Sequence, residues 1–381
     1  MTSRNNGLYI HFPFCKTRCN YCAFYSQTNN HNHEQYVSAL LKDAQKNRDF
    51  FHSDILNTIY MGGGTPSLLP TDIIDMLLKK LACIFDVSQC KEITIEVNPD
   101  DIDEDYISSL KALVINRLSV GIQSLNDNEL KTLNRRHDAT KAIKSLEIIA
   151  KHFDNFSVDI MYGLPGQTIE SLHKTLDGVL KYHPTHISAY ALSLEPGTAL
   201  CDMSGKGLIE TKDEDFVVNC YNVVNEILEQ RNYVHYEVSN YCLPGFEAQH
   251  NSNYWNGSKY LGLGAAAHSY NGETRKWNVA SVGDYINCID KNERYYDFET
   301  LDDVMKYNEY VMLGLRTNKG IDFQYIKDFF GEEFYHTALH GIEGVNELFI
   351  LYNSDKFILN DAGLFVADGI AEALWHNGEG A

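Results

Sequence analysis

The chain has 381 residues, 44% of them hydrophobic and 22% charged, with a formal net charge of −20. That length buries a large core and leaves room for one big domain beside a small one, and the composition is that of an ordinary globular protein. The charge argues against phosphate backbones or anionic lipid as main partners; Lys131 to Arg136 (KTLNRR) is the nearest approach to a basic cluster, so no nucleic acid is expected. No run approaches 18 apolar residues, and Met1-Thr-Ser-Arg-Asn-Asn has no apolar signal region, which predicts a cytoplasmic protein. Its nine cysteines then read as reduced thiols, metal ligands or packing residues.

From the N-terminus, short β-rich runs alternate with helix-length segments. Strands are predicted at Leu8–Phe12, Thr58–Gly62, Glu92–Asn98, Arg117–Gln123, Asn155–Met161 and His186–Leu194. Helical patterns fall near 34–49, 71–83, 104–113, 127–150, 168–181 and 213–230. This rhythm argues for βαβ units and a parallel sheet. In three of the strands, apolar residues alternate with small or polar ones: Ile93, Ile95 and Val97 with Thr94 and Glu96; Leu118, Val120 and Ile122 with Ser119 and Gly121; Phe156, Val158 and Ile160 with Ser157 and Asp159. A packed eight-stranded barrel fills its interior with bulky aliphatic layers. The pattern here predicts a wide, incompletely closed barrel whose lumen holds ligand and water; a half-solvated antiparallel sheet would show the same alternation without the regular helices.

Beyond about residue 240 the rhythm changes. Gln249 to Tyr270 (QHNSNYWNGSKYLGLGAAAHSY) is rich in Gly, Ala and aromatics and has no clear period. Helical patterns return from about 299 to 376, with a short hairpin predicted at Phe357–Leu359 and Asp361–Leu364 and a closing helix at 366–375. Residues 296–375 hold 15 Asp or Glu against 5 Lys or Arg, so this winged-helix-like module is a poor DNA reader and is expected to act as a lid or docking domain. The predicted divisions are 1–240 for the barrel, 241–295 for a connecting segment and 296–381 for the C-terminal domain.

The chemistry concentrates at Cys15-Lys16-Thr17-Arg18-Cys19-Asn20-Tyr21-Cys22, a C-x3-C-x2-C spacing directly after the first strand. Three thiolates are one short of a closed tetrahedral zinc site or a fully ligated four-iron cluster. A [4Fe–4S] cluster held by three cysteines leaves one iron open to bind a ligand. The alternatives are reduced surface thiols, or zinc with a histidine such as His11 as the fourth ligand. Gly62-Gly63-Gly64-Thr65-Pro66 follows the second strand, where glycines let backbone come close to a ligand; no Gly-Lys-Ser/Thr follows, so it is not a P-loop. Glu96, Gln123 and Asp159 lie toward strand ends and Arg135 follows the fourth strand. Ribose hydroxyls want carboxylate or amide acceptors, and a carboxylate wants a guanidinium.

The cysteine spacing resembles the signature of the radical S-adenosylmethionine (SAM) superfamily. With the glycine turn and the strand-end residues, the chain looks like that superfamily's coproporphyrinogen-dehydrogenase branch. The resemblance implies a partial (β/α)6 radical SAM barrel, with Cys15, Cys19 and Cys22 ligating a [4Fe–4S] cluster. It further implies that Tyr9, Tyr21, Gly63, Gly64, Thr65, Glu96, Gln123, Arg135 and Asp159 hold SAM, with Ala191 as a weaker candidate on the adenine side. Phe24 stands where the dehydrogenases carry a fourth cysteine, and the first cysteine comes already at 15; both point away from oxidative decarboxylation of coproporphyrinogen III, which remains the alternative. His250-Asn251-Ser252-Asn253-Tyr254-Trp255 matches the H-N-x-x-Y-W pattern of the HemW-type heme chaperones. Imidazole is a good axial ligand for heme iron, and Tyr and Trp offer flat apolar surface to a porphyrin. The resemblance therefore implies heme bound through His250, with His268 a weaker second candidate. It also implies delivery of heme to respiratory apoproteins, peripheral contact with the membrane, and a homodimer.

Overall fold

The computed structural model describes residues 5–28, 33–51, 55–352 and 355–376. Met1–Arg4 and residues 377–381, on which parts of the N-terminal and C-terminal readings fall, lie outside them.

Six parallel strands run in sequence order: β1 (Gly7–Phe12), β2 (Thr58–Gly63), β3 (Glu92–Val97), β4 (Arg117–Gln123), β5 (Phe156–Tyr162) and β6 (His186–Ala191). Between them lie α1 (His33–Lys46), α2 (Thr71–Ala82), α3 (Glu104–Lys111), the pair α4 (Asp127–Thr132) and α5 (Ala139–His152), and α6 (Ile169–Leu180). The pattern over 127–150 is thus two helices, not one. Asn134 adopts a left-handed φ of 57°, which ends the first; the Asp138 side chain accepts from the Lys141 N–H and starts the second. Other helices also begin at side-chain caps: Asp103 serves α3, and a reciprocal Thr168–Ser171 capping box serves α6.

After β6 come α7 (Ala199–Gly205), α8 (Glu214–Gln230), β7 (Val234–Glu237) and β8 (Asn240–Cys242). The aperiodic stretch from Gln249 forms α9 (Gln249–Trp255), β9 (Tyr260–Leu263) and β10 (His268–Tyr270), followed by β11 (Thr274–Asn278), α10 (Val282–Lys291) and β12 (Tyr296–Thr300). β9 pairs parallel with β1, and β8 pairs antiparallel with β6. One sheet of twelve strands results, in the order β12-β11-β10-β9-β1-β2-β3-β4-β5-β6-β8-β7. β1 and β6 are five strand spacings apart, roughly 24 Å across a flat sheet. Tyr9 and Tyr190 nonetheless line one cavity, so the sheet curves around a lumen. The outer faces of β1–β6 supply Leu8, Ile59, Ile95, Leu118, Val158 and Ile187 to the continuous core under the helices.

The C-terminal domain has its own core, built on Tyr307, Val311, Leu315, Phe357 and Ile370. It comprises α11 (Asp303–Leu315), β13 (Ile321–Asp322), α12 (Phe323–Phe329), α13 (Glu332–Glu343), β14 (Ile350–Tyr352), β15 (Lys356–Leu359), α14 (Asp361–Phe365) and α15 (Ala367–Ala373). The hairpin expected from Phe357–Leu359 and Asp361–Leu364 is not formed. Phe357–Leu359 pairs instead with β14, while the Asn360 side chain accepts from the Gly363 N–H and turns 361–365 into a helix. The domain joins the barrel where Val238 N–H donates to Arg316 O (2.9 Å) and Asn318 N–H to Tyr236 O (3.1 Å). Among the described residues no helix is long and apolar enough to cross a membrane.

Candidate functional site

The cysteine loop leaves the C-terminal end of β1 and is pinned from several sides. Cys15 N–H donates to Gln27 O, Asn20 N–H to Leu133 O, and Leu200 N–H to Asn20 O. The glycine turn after β2 packs directly on it. Gly63 has φ 106°, and a Cβ there would sit 2.4 Å from the His11 ring. A Cβ on Gly64 would lie 2.7 Å from the carbonyl oxygens of both Phe12 and Phe14, so no side chain fits. Gly64 N–H and Thr65 N–H donate to those same two carbonyls.

Donors are directed at two of the three sulfurs. Thr65 Oγ1 donates to Cys15 Sγ and Arg135 Nη1 to Cys19 Sγ, each at 3.5 Å. Burial pushes the Cys15 and Cys22 thiols up, so the loop by itself keeps them protonated and iron binding must release those protons. Three partly buried thiols in one loop, with hydroxyl and guanidinium donors that favour thiolate, suit a three-cysteine iron–sulfur cluster. His11 does not join them: its Nδ1 is bonded to Tyr9 OH (3.0 Å) and its Nε2 to Tyr25 O (3.2 Å).

Arg135 ties the cysteine loop to the strand ends. Its Nη2 donates to Asn98 Oδ1 (2.7 Å) and Gly121 O (2.6 Å), and its Nη1 also reaches Tyr21 OH (3.5 Å). Asn98 in turn donates to Thr65 Oγ1 (3.0 Å). Gln123, buried at the end of β4, has φ 67°, where the β4–β5 register shifts between Gly121 and Gln123. A non-glycine residue in that region costs about 1 kcal/mol or more, and such conformations cluster at functional sites.

Farther along the lumen, Glu96 accepts from Tyr60 OH (2.8 Å) and from Gly63 N–H (3.1 Å). Burial raises its carboxyl to about 7, opposed by the Tyr60 hydrogen bond. Asp159 accepts from Ser119 Oγ (3.1 Å), and burial raises it too, opposed by the Ser188 and Ser119 hydroxyls. Tyr9 stacks on Tyr60 with ring centroids 6.1 Å apart. The lumen thus brings Tyr9, Gly63, Glu96 and Asp159 onto its wall, while Tyr21, Gly64, Thr65 and Arg135 gather around the cysteine loop and Gln123 stays at the end of β4, beside Gly121.

His250 sits behind this wall. It is 1% exposed and stacks on Tyr60, ring centroids 5.2 Å apart. Nδ1 bonds to Thr58 Oγ1 and Nε2 to Tyr254 OH, each at 2.9 Å. Burial, with the Arg117 charge next, lowers its pKa to about 3, so it is a neutral imidazole at physiological pH. Both ring nitrogens are therefore engaged within the protein. His268 lies elsewhere, on β10, stacked against Trp277.

A cavity of about 1010 Å³ opens from the barrel mouth toward the C-terminal domain. Tyr9, Tyr60, Glu96, Tyr190 and Ala191 line its barrel side; Asn251, Tyr254 and Trp255 of α9, Arg316 and residues 364–369 line the rest. Tyr60, Asn98 and Glu237 escape the motif reading. Tyr60 could have been found, because the alternation Thr58, Tyr60, Gly62 along β2 places it on the lumen side.

The chain resembles known proteins over most of its length. The model of the radical SAM superfamily matches residues 9–179. The heme chaperone HemW of Lactococcus lactis is 33% identical over 378 residues, covering 98% of both chains. Those of Mycobacterium tuberculosis and Bacillus subtilis are each 31% identical, covering 97% and 92% of this chain and 94% and 93% of theirs. The coproporphyrinogen III oxidase HemN of Escherichia coli, a radical SAM enzyme, shares the fold with a TM-score of 0.83 at 21% identity, covering 97% of this chain and 90% of that one. Identity at about a third of positions along nearly the full chain, together with the cysteine loop and the lumen it faces, places this chain in the HemW-type heme chaperone family of the radical SAM superfamily.

Proposed function

We propose that the protein binds a [4Fe–4S] cluster, SAM and heme in the cytoplasm and hands the heme to respiratory apoproteins, touching the membrane peripherally and pairing as a homodimer. The observation that carries the heme reading is the position of the H-N-x-x-Y-W segment. It folds as α9 and presents Tyr254 and Trp255 to a cavity large enough for a cofactor, with a neutral His250 directly behind Tyr254. The names of the similar chaperones point the same way.

Cys15, Cys19 and Cys22 would hold the cluster, whose chemistry when loaded is one-electron transfer to the ligand on its open iron. Arg135, steadied by Asn98, offers its guanidinium near the loop to the carboxylate of SAM. Glu96, Asp159 and Gln123 offer oxygen acceptors to the ribose, and Tyr9 and Tyr21 offer ring faces. His250 would offer Nε2 to heme iron, which requires release of its bond to the Tyr254 hydroxyl. Phe24, 69% exposed in the cysteine loop, supplies no fourth sulfur, which weighs against the decarboxylase alternative.

The test is a heme titration of the anaerobically reconstituted protein beside His250→Ala, followed by the Soret band. Stoichiometric binding that the variant loses supports the reading. Equal binding by both moves the heme ligand elsewhere, and no binding by either returns the decarboxylase to first place.

A further inference from the structure

The cavity is rich in acids and phenols and poor in cations. Glu96 and Glu237 lie on the barrel side, both raised toward neutrality by burial. Among the described lining residues Arg316 is the one Lys or Arg. It follows the last turn of α11, and its carbonyl accepts from Val238 N–H, which holds it at the seam between the domains.

The Arg316 guanidinium lies 6.0 Å from the centroid of the Trp255 ring, so it reaches across to the α9 wall. Its present partner is Asp368, in a two-pronged pair: Nε to Oδ1 at 2.7 Å and Nη2 to Oδ2 at 2.8 Å. The Asp368 side chain is 71% exposed and that of Arg316 28%. A carboxylate so open to water loses little when it swings away from its partner. In the same wall the indole N–H of Trp255 is buried with no acceptor among the described residues.

Heme is a flat apolar ring with two carboxylates on one edge. If the ring rests against Tyr254 and Trp255, those carboxylates meet acids and phenols on the barrel side and, among the described lining residues, one guanidinium. We propose that Arg316 recognises a propionate carboxylate of the porphyrin, taking it in the planar, two-pronged geometry that Asp368 now occupies. This assignment rests on the heme reading above.

Heme and heme dimethyl ester, which lacks the acids, are titrated into the reconstituted protein and into Arg316→Gln, Arg316→Lys and Asp368→Asn. Loss of one charge-assisted pair predicts about tenfold weaker heme binding by Arg316→Gln, with ester binding unchanged. Arg316→Lys should fall between, and Asp368→Asn, which removes the competing carboxylate, should tighten heme severalfold. Equal weakening of heme and ester in Arg316→Gln would mean that Arg316 only holds the seam, and overturns the proposal. Unchanged heme binding by Arg316→Gln overturns it as well and leaves the heme reading standing. Bound SAM is measured alongside: if Arg316→Gln sheds SAM and keeps heme, the carboxylate served is that of SAM. No heme binding by wild type removes the heme reading, and this assignment with it.

Discussion

Replacing Tyr60 with Phe removes one hydroxyl and should move a titration. The Tyr60 hydroxyl donates to Glu96 at 2.8 Å, and it opposes the burial that raises Glu96 to about 7. A hydrogen bond to a charged group contributes about 1.5–3 kcal/mol, and one pKa unit corresponds to about 1.4 kcal/mol. Without the hydroxyl, Glu96 should titrate roughly one to two units higher. The sign for stability follows. A carboxyl raised in the folded state contributes stability that is fully present below its unfolded pKa of 4.5 and is lost as pH rises through the folded value. Wild type should therefore stop losing this contribution a little above pH 7. Tyr60→Phe should go on losing about 1.4 kcal/mol per pH unit for a further one to two units. Urea midpoints measured from pH 5 to 9 read this directly, with Glu96→Gln as the background in which the pH dependence of Tyr60→Phe should vanish. A stability difference that is flat with pH, or one that persists unchanged in the Gln background, would refute the reasoning.

Other expectations follow from the same geometry. Gly64→Ala forces a Cβ to 2.7 Å from two backbone oxygens at the root of the cysteine loop, so iron and sulfide per chain should fall well below one cluster; full cluster content in the variant would contradict it. Asp43 is completely buried and accepts from Tyr285 OH (2.6 Å), Tyr295 OH (2.5 Å) and Asn47 Nδ2 (2.7 Å). Asp43→Ala strands those donors and should lower unfolding free energy by about 2–5 kcal/mol, and a loss under about 1 kcal/mol would show that water replaces the acceptor. Tyr254→Phe frees Nε2 of His250, so heme should associate faster in stopped flow, whereas an unchanged rate would mean that the hydroxyl is no obstacle.

The parallel strands were readable because each carries a period-2 pattern bounded by helical periodicity, and the outer face of every one is core. The lumen was readable for the same reason: Glu96, Ser119 and Asp159 interrupt otherwise aliphatic runs. What stayed hidden depends on partners distant in the chain. The stretch 249–270 has no period because α9 is two turns long and β9 is flanked on both sides, so small residues replace alternation; a Cβ on Gly262 would sit 2.1 Å from the His268 carbonyl oxygen. The engagement of His250 by Thr58, 192 positions earlier, has no local signature. Arg316 likewise looks like any residue at the end of a helix. The false hairpin and the merged helix were avoidable, since Asn360 and Asp138 are ordinary helix-starting residues.

The parallel pairing of β9 with β1 bears on how the protein is made. The register sets Gly7 beside Tyr260, and the anchors of the cysteine loop come from Leu133 and Leu200. On a ribosome adding about 5–20 residues per second, the segment that completes the wall beside β1 follows the three thiols by on the order of 10 to 50 s. The thiols are made before Leu133 and Leu200, which pin their loop, and before the strand that completes the sheet beside β1. Cluster loading is therefore expected only after most of the chain has been synthesised, and oxidants present during translation should reduce the yield of loadable protein even where the finished fold resists them.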